Sequence, residues 1–315
     1  MRELVSVIMS AYNEKLEYVE KAIDSMLNQT WEALEIVIVI DNPENMELIE
    51  LIEKYERNNK NIIVIHNEKN IGLPSSLNKA LEIVNGQYVA RMDADDISFP
   101  ERIEKQIAFL KTNELDMVAS KKIDIDENDN IIRRNGKVVK SKRINKVLPY
   151  ANFIVHSSVL MNIHTIKELS GYRDFKAAQD YDLWLRMITQ GYSIGIIEEE
   201  LIYYRIRQDS IGIKNAFFQR IMAEYIQSLY RERKKNKSFT DSHSSEMQKK
   251  FLELMKYDNE KEKSKYNKAF LDMKLGLKKI YEHQGGYALL LKSLRNRHIR
   301  KHLCGVVIAK IYKFV

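Results

Sequence analysis

The sequence predicts an α/β protein in which an open sheet is flanked by helices and a mainly helical region follows. Apolar runs of strand length alternate with amphipathic helical segments over the first third of the chain. The connections between them are short, which is typical of parallel strands joined by crossover helices. From about residue 215 the pattern is helical and rich in Lys. We therefore expect a sheet domain and a helical region, in that order.

The elements follow one another with a clear period. Largely apolar runs, typical of strands buried on both faces, predict strands at residues 4–12, 34–42, 61–67 and 87–96. Apolar side chains at helical spacing predict helices between them at residues 15–29, 45–58 and 73–85. Further on, we expect a helix at 100–113, a strand at 115–126, a hairpin at 127–140, a strand at 152–162 and a helix at 177–191. We place the domain boundary after residue 214, between a domain at 1–214 and a helical region at 215–315.

Charge is distributed unevenly along the chain. The net charge is +7, but residues 231–315 carry 22 Lys and Arg against 9 Asp and Glu, a net +13, so the preceding part is acidic at −6. No apolar run reaches the roughly 18–20 residues that a membrane-spanning helix needs, and the N-terminus lacks the pattern of a secretory signal. The single cysteine, Cys304, allows no internal disulfide. We therefore expect a cytoplasmic protein.

Polar residues cluster where the first four predicted strands end. They are Tyr12, Asn13 and Glu14 after the first, Asp41 and Asn42 after the second, residues 67–72 after the third, and Asp93, Asp95 and Asp96 at the fourth. Open α/β sheets bind ligands at this edge. A solvated turn would also favour Asp, but polar groups at four successive strand ends favour a binding site. A bound cation would explain three carboxylates within four positions.

Five segments of the chain occur in an order found in a known family: VSVIMSAYNE, EIVIVIDN, NIGLPSSLNKAL, ARMDADD and AQDYDLWLR. Together they resemble the family 2 glycosyltransferases, over roughly residues 4–207. The resemblance implies the GT-A fold, a Rossmann-like open mixed sheet flanked by helices, and an inverting enzyme that uses a nucleotide sugar. The most similar members build bacterial capsule, exopolysaccharide or lipopolysaccharide. The sequence lacks the Gln-x-x-Arg-Trp motif of the processive members of the family. This favours an enzyme that adds a single sugar.

The resemblance implies a donor site at the strand ends. In the motif Asp93-Ala94-Asp95, Asp95 would ligate a divalent cation, Mn²⁺ or Mg²⁺, and Asp93 would contact the ribose or a metal-bound water. Both cations prefer hard oxygen ligands, and their charge helps a diphosphate to leave. Asp41 would hydrogen-bond the uracil of a UDP-sugar. The other residues expected around the donor are Ala11, Tyr12, Asn13, Glu14, Asn70, Gly72, Asn78, Arg91 and Met92.

Transfer with inversion needs one base to take the proton of the acceptor hydroxyl. The resemblance assigns this role to Asp180, although the family's Glu-Asp pair is here Gln179-Asp180. The other interpretation is a carboxylate that only stabilises a helix N-terminus. Asp182, Trp184 and His156 would lie on the acceptor side. His156 is equally well explained as a hydrogen-bonded His near a strand.

One position departs from the family pattern. The family has a Tyr-Arg-x-His stretch whose His can complete the metal site. The matching residues here are Tyr204-Arg205-Ile206-Arg207, so Arg207 replaces the His. Arg does not ligate metals but clamps phosphate well. We therefore expect Arg207 to bind phosphate, and the third metal ligand is left open.

The C-terminal region has two interpretations. Residues 292–302 are basic and residues 303–315 are apolar. This order suits a segment on an anionic membrane surface, with Lys310 and Lys313 reaching back towards the headgroups. The protein would then be peripheral at the inner face of the plasma membrane, near a glycan or lipid-linked acceptor. Alternatively, the helices pack on the catalytic domain or form a homo-oligomer. We expect no nucleic-acid partner, because no recognition motif is present.

Two other functions are compatible with the sequence. A sugar nucleotidyltransferase can share a similar sheet, but it usually has a Gly-rich phosphate loop after the first strand, and SAYNEKLEY contains no Gly. A catalytically idle nucleotide-sugar binding or scaffold protein has no need of a base. The presence of Asp93, Asp95 and Asp180 together therefore favours the enzyme.

Overall fold

The computed structural model describes residues 3–134, 136, 138–207 and 215–314, apart from the side chains of residues 313 and 314. The chain forms two compact units: Met1–Asn145 with Phe153–Arg207, and Lys146–Asn152 with Gln208–Val315. Residues 208–214, which precede the expected domain boundary, lie outside the described residues, as does the Lys313 side chain.

Nine strands in the described residues form one mixed sheet. They are β1 (Val5–Ala11), β2 (Leu34–Ile40), β3 (Ile62–His66), β4 (Tyr88–Asp93), β5 (Ile97–Ser98), β6 (Met117–Ile125), β7 (Ile131–Arg134), β8 (Leu160–Asn162) and β9 (Ile194–Arg205). Their order is β3-β2-β1-β4-β8-β6-β9-β5, with β7 paired to β6. Strands β1 to β4 are parallel, whereas β8 is antiparallel to both β4 and β6. The predicted open mixed sheet is confirmed.

Helices connect these strands. In chain order they are α1 (Leu16–Leu27), α2 (Met46–Asn58), α3 (Leu73–Ile83), α4 (Arg102–Thr112), α5 (Ser141–Val147), α6 (Ile163–Glu168) and α7 (Gln179–Gln190). Helices α1, α2, α3, α4 and α7 were predicted and end within two residues of the expected positions. Val19 and Ile23 of α1 are fully buried in the same core as Val7 of β1 and Ile38 of β2. Burial of such side chains stabilises the sheet by about 1.5–3 kcal/mol each.

The strand predicted at 152–162 is wrong for most of its length. Within this range only β8 is a strand, and a 3₁₀ turn at His156–Ser158 precedes it. Ser158 Oγ donates to Val155 O at 2.8 Å, and Ser157 Oγ donates to the carboxylate of Asp96. Serine side chains can hydrogen-bond to nearby backbone groups and so compete with the hydrogen bonds between strands, which explains the turn.

The 12-residue strand β9 was not predicted. Its sequence, IGIIEEELIYYR, places three Glu in the middle of an apolar run. At this point its pairing with β6 shifts register between Ser120 and Lys121, and Glu198 and Glu199 are exposed. The irregularity interrupts the alternation of side chains by which a strand is recognised.

The second unit is helical, as predicted. Its helices are α8 (Ala216–Asn236), α9 (Ser245–Leu254), α10 (Glu260–Tyr281), α11 (Tyr287–Ser293) and α12 (Arg297–Phe314). Phe217 and Ile221 of α8 share an apolar core with Tyr266 and Met273 of α10 and Ile299 of α12. In the part of the chain that the structure describes, no helix is both long and apolar enough to span a bilayer.

A buried carboxylate joins α8 to α12. Glu224 Oε1 lies 3.0 Å from Arg220 Nε and 2.7 Å from His298 Nδ1, and Oε2 lies 2.6 Å from Lys301 Nζ. Burial alone would raise the pKa of Glu224, but the hydrogen bonds from His298 and Lys301 outweigh it and lower the pKa to about 2. The carboxylate is therefore charged at neutral pH and compensates the basic start of α12.

Residues 146–152 interrupt the first unit and belong to the second. The carbonyl oxygen of Tyr150 accepts a hydrogen bond from Gln227 Nε2 at 3.2 Å. A Cβ atom at Gly305 would lie 2.3 Å from the same oxygen, so only glycine allows α12 to approach Tyr150 this closely. Helices from the far end of the chain thus pack this short segment.

Candidate active site

The parallel strands β1, β2, β3 and β4 end at one edge of the sheet, and polar side chains follow them there. Glu14 Oε2 accepts a hydrogen bond from Tyr12 N at 2.7 Å. Asn13 Oδ1 accepts one from Asn42 Nδ2 at 2.7 Å, which joins the loops after β1 and β2. Tyr12 is 41% exposed, so it is accessible from solvent beside these loops.

Asp41 holds the loop that leads into α3. Its Oδ1 accepts hydrogen bonds from Asn67 Nδ2 at 2.8 Å and Ile71 N at 2.9 Å, and its Oδ2 accepts one from Gly72 N at 2.9 Å. Gly72 has φ +84°, a conformation that favours glycine. Asp41 therefore has a structural role that the sequence did not indicate, and its contact with a uracil ring stays a prediction.

Asn70 and Asn78, also expected at the donor, hold backbone groups. Asn70 Oδ1 accepts a hydrogen bond from Gly72 N at 3.0 Å. Asn78 Nδ2 donates to Tyr172 O at 2.7 Å, and Asn78 Oδ1 accepts from Tyr172 N at 2.9 Å. This double hydrogen bond fixes the loop before α7 against α3.

Each carboxylate of the Asp-x-Asp motif faces an arginine. Arg91, which is 1% exposed, forms an ion pair with Asp93. Arg207 Nε lies 3.2 Å from Asp95 Oδ2. Burial and then the charge of Asp93 raise the pKa of Asp95 to about 7, while Arg207 opposes this rise. The two guanidinium groups thus balance part of the negative charge that the motif concentrates.

Asp96 has a different environment from its two neighbours. It is 1% exposed, and it accepts hydrogen bonds from the Ser157 hydroxyl and from Arg205 N, the latter at 2.8 Å. Burial, and then the charges of Asp93 and Asp95, raise the pKa of Asp96 well above its ordinary value. Both oxygens of its carboxylate accept hydrogen bonds inside the protein, so Asp96 stabilises the turn after β4.

Arg205 organises the site, although sequence reasoning missed it. Its Nε donates to Asp95 O at 2.9 Å and its Nη1 to Asp129 Oδ1 at 2.5 Å. Its guanidinium carbon lies 4.1 Å from the centre of the Tyr18 ring, within the range of a cation–π contact. These contacts fix the end of β9 to the acidic turn. The sequence did contain a signal for Arg205. It is the Arg of the Tyr-Arg-x-His pattern in which Arg207 takes the place of the His.

The carboxylates of Asp93 and Asp95 are ligands of the kind that a hard divalent cation prefers. Within the described residues, no three His, Cys, Asp or Glu side chains form a group that could hold a metal ion. The charge of Asp93 contributes to the raised pKa of Asp95, and a cation held by these residues would relieve this repulsion. Mg²⁺ usually binds through one or two carboxylates together with substrate phosphates, and this pair is a donor set of that kind.

Asp180 lies in the first turn of α7, after Ala178 in a left-handed conformation at φ +60°. The charges of Asp180 and of Asp93 in the acidic motif both affect the pKa of the Tyr172 hydroxyl group. Burial raises the pKa of Tyr172, Arg91 opposes this, and the charges of Asp180 and Asp93 each raise the pKa further. The candidate base and the Asp-x-Asp motif thus both act electrostatically on the same hydroxyl group.

Asp182 is fully buried and holds the loop before α7. Its Oδ2 accepts hydrogen bonds from Arg173 Nε at 2.9 Å and Arg186 Nε at 2.8 Å. Arg186 also donates to Leu169 O at 2.6 Å and Gly171 O at 2.7 Å. Burial opposes ionisation, but both arginines keep the pKa of Asp182 below its ordinary value. The carboxylate stabilises the loop before α7 through these two arginines and is not exposed at the surface.

His156 and Trp184 pack beside Tyr172. His156 Nε2 lies 2.9 Å from Tyr172 Oη, and the centres of the His156 and Trp184 rings are 6.1 Å apart. Burial and the charge of Arg91 hold the pKa of His156 well below its ordinary value. The imidazole is therefore neutral at pH 7 and hydrogen-bonded to Tyr172. The contact of His156 and Trp184 with an acceptor stays a prediction.

Three further residues expected at the donor are almost completely buried. Ala11, Met92 and Ala94 are at most 2% exposed. The contact of these residues with a donor stays a prediction.

Sequence comparison relates the chain to known enzymes. Residues 6–168 match the sequence model described as glycosyl transferase family 2. An uncharacterized glycosyltransferase of Methanocaldococcus jannaschii is 37% identical over 231 residues, which cover 73% of this chain and 78% of that protein. The O-antigen biosynthesis glycosyltransferase WbnJ of Escherichia coli is 33% identical over 211 residues, which cover 66% of this chain and 82% of that protein.

Solved structures share the fold. Residues 1–349 of S. aureus TarS in complex with UDP-GlcNAc give a TM-score of 0.57 at 16% identity, covering 93% of this chain and 89% of that chain. The mannosyltransferase PcManGT from Pyrobaculum calidifontis in complex with GDP-Man and Mn²⁺ gives a TM-score of 0.56 at 16% identity, covering 72% and 63%. Sequence and fold agree: the chain has the GT-A fold, belongs to glycosyl transferase family 2 and is a glycosyltransferase.

Proposed function

We propose that this chain is an inverting, metal-dependent enzyme that transfers a sugar from a UDP-sugar to a hydroxyl group of a growing, lipid-linked cell-surface glycan. The observation that carries the proposal is the acidic motif at the carboxyl end of β4, where Asp93 is paired with Arg91 and Asp95 with Arg207. The candidate base, Asp180, lies in the first turn of α7, and the charges of Asp180 and Asp93 both raise the pKa of Tyr172. An inverting transferase needs a base and a diphosphate site next to each other, because both act on one anomeric carbon.

The donor is proposed to bind across the ends of β1, β2 and β4. The exposed ring of Tyr12 offers a stacking surface for uracil, and Asp41 would hydrogen-bond the base. Arg91 and Arg207 stand beside the acidic motif and carry the planar donor groups that suit phosphate. The solved complexes of similar fold with UDP-GlcNAc and with GDP-Man support a nucleotide sugar as the donor class.

The proposed reaction proceeds in one step. The Asp180 carboxylate takes the proton of the acceptor hydroxyl while the hydroxyl oxygen attacks the anomeric carbon. The new carbon–oxygen bond forms as the bond to the diphosphate breaks, and the electron pair leaves with the diphosphate. Attack opposite the leaving group inverts the anomeric configuration. A divalent cation held by Asp95, with Asp93 on the ribose or a metal-bound water, would supply positive charge to the departing diphosphate.

UDP binding is expected to tighten in Mn²⁺, and the Asp95→Asn variant should lose this effect. An amide is a weaker ligand than a carboxylate and carries no charge. Isothermal titration of the full-length protein with UDP, with and without Mn²⁺, measures the effect. We expect an improvement of at least about tenfold in the wild type and less than about twofold in Asp95→Asn.

Asp258→Asn is the matched control, because Asp258 is exposed in the second unit; this variant should respond to Mn²⁺ as the wild type does. An unchanged Mn²⁺ effect in Asp95→Asn would exclude Asp95 as a ligand. A folded protein that binds no UDP under either condition would contradict the proposed function.

We further propose that the second unit brings this enzyme to the inner face of the plasma membrane, where a lipid-linked acceptor lies. One side of α12 supports this: Arg297, Arg300, Cys304, Val307 and Ile311 recur at helical spacing and are all exposed. The first half of this side is basic and the second half is apolar. That arrangement suits anionic headgroups and the adjoining acyl region.

Full-length protein is expected to co-float with vesicles that contain anionic phosphatidylglycerol, and not with neutral vesicles. Val307 and Ile311 are 52% and 54% exposed, so changing both to Ser should weaken vesicle binding by about tenfold. Changing Ile131 and Ile132 to Ser is the matched control, since these residues of β7 are 51% and 54% exposed.

Equal vesicle binding by both double variants would contradict the membrane proposal. Loss of self-association in the α12 variant, with vesicle binding retained, would instead identify a second copy of the chain as the partner of α12.

A further inference from the structure

Arg207 forms an ion pair with the carboxylate that we propose as a metal ligand. Its Nε lies 3.2 Å from Asp95 Oδ2, and the two side chains are only 21% and 17% exposed. The charge of Arg207 also opposes the rise that burial causes in the pKa of Asp95. Water screens such a partly buried pair less than it screens an exposed one.

Neighbouring contacts hold both partners in place. Arg205 N donates to Asp96 Oδ1 at 2.8 Å, and Arg205 Nε donates to Asp95 O at 2.9 Å. These hydrogen bonds join the end of β9 to the turn that carries Asp95. Arg207 follows two residues after Arg205 and therefore lies beside the same turn.

Arg207 and a divalent cation have opposite requirements at Asp95. A guanidinium group stays charged at any pH that the protein tolerates, and it repels a second cation a few ångströms away. A neutral imidazole at the same position can instead ligate a metal. Arginine thus changes this position from one that attracts a cation to one that repels it.

We propose that Arg207 is a built-in counterion of Asp95 that keeps divalent cations out of the free enzyme, so that a cation enters only together with the diphosphate of the donor. This inference rests on the proposed donor site and adds an order of binding to it. The phosphate oxygens offer Arg207 a second anionic partner, which releases Asp95. By linkage, cation and nucleotide then improve each other's affinity by the same factor.

Mn²⁺ binding to the full-length protein without nucleotide tests the inference. Electron paramagnetic resonance of free Mn²⁺ measures it directly, without any activity assay. We expect the Arg207→Gln variant to bind Mn²⁺ at least about tenfold more tightly than the wild type, because a nearby positive charge is removed. Adding UDP should tighten Mn²⁺ binding strongly in the wild type and less in the variant. The Arg207→Lys variant keeps the charge and should bind Mn²⁺ as weakly as the wild type.

Arg57→Gln is the matched control. Arg57 is exposed on α2 and paired with Glu53, so its loss should leave Mn²⁺ affinity unchanged. Equal Mn²⁺ affinity of the wild type and Arg207→Gln would overturn the inference, even if Mn²⁺ still tightens UDP binding. Failure of every folded variant to bind UDP, with or without Mn²⁺, would contradict the proposed function, and the inference with it.

Discussion

Replacing Asp180 with Asn is expected to lower kcat by about 10²–10⁴-fold and to change UDP affinity by no more than about twofold. The amide preserves the size of the side chain but cannot take the acceptor proton. UDP release from a panel of UDP-sugars, with alkyl glycosides as acceptors, measures kcat, and isothermal titration measures UDP affinity. The loss should therefore appear in turnover alone.

The Asp174→Asn variant provides the control. Asp174 is exposed in the loop that precedes α7, so the same chemical change there should leave kcat near the wild-type value. Normal turnover by Asp180→Asn would mean that Asp180 only stabilises the helix N-terminus. A parallel loss of UDP affinity would mean that the substitution disturbs the donor site.

The Asp182→Asn variant is expected to be less stable than the wild type by about 3–5 kcal/mol, because it removes the buried negative charge that pairs with the buried Arg186 and the partly buried Arg173. For a protein of this size the loss corresponds to a fall of roughly 10 °C in Tm. Circular dichroism of the full-length variant during heating measures it. UDP affinity at low temperature should change little, because Asp182 is fully buried.

The pH dependence of this loss has a defined sign. Folding lowers the pKa of Asp182, so its contribution to stability is complete above the unfolded value of about 3.9 and disappears as the pH falls through the lower folded value. The difference in Tm between the variant and the wild type should therefore be constant from about pH 5 to 8.

Asp24→Asn is the control for stability. Asp24 is exposed and accepts a hydrogen bond from Tyr55 Oη at 2.9 Å, so its replacement should cost no more than about 0.5 kcal/mol. A cost below about 1 kcal/mol for Asp182→Asn would mean that the two arginines find other partners when the carboxylate is lost.

The parallel half of the sheet was predictable because each of its strands is a continuous apolar run between polar segments. β1 to β4 therefore appear in the sequence as separate units, and the residues after them could be placed at one edge. The acidic motif was recognisable for the same reason. Its spacing is local, and a group of like charges has few physical explanations.

The contacts that hold the site together were not predictable in this way. Arg205 with Asp129, and Asp182 with Arg173, are pairs whose members come from different elements. A charged residue in a sequence has the same appearance whether it is solvated or buried against a counterion, and only tertiary packing distinguishes the two. The same limit applied to β9, in which three central Glu interrupt the apolar run.

The segment at residues 146–152 bears on how this protein can be divided. The carbonyl of Tyr150 is packed by α8 and α12, although its neighbours in sequence belong to the catalytic unit. A C-terminal deletion would thus leave residues 146–152 without the helices that pack them. A chimera that exchanges the helical region with that of a relative needs two crossover points, so that residues 146–152 travel with the helices.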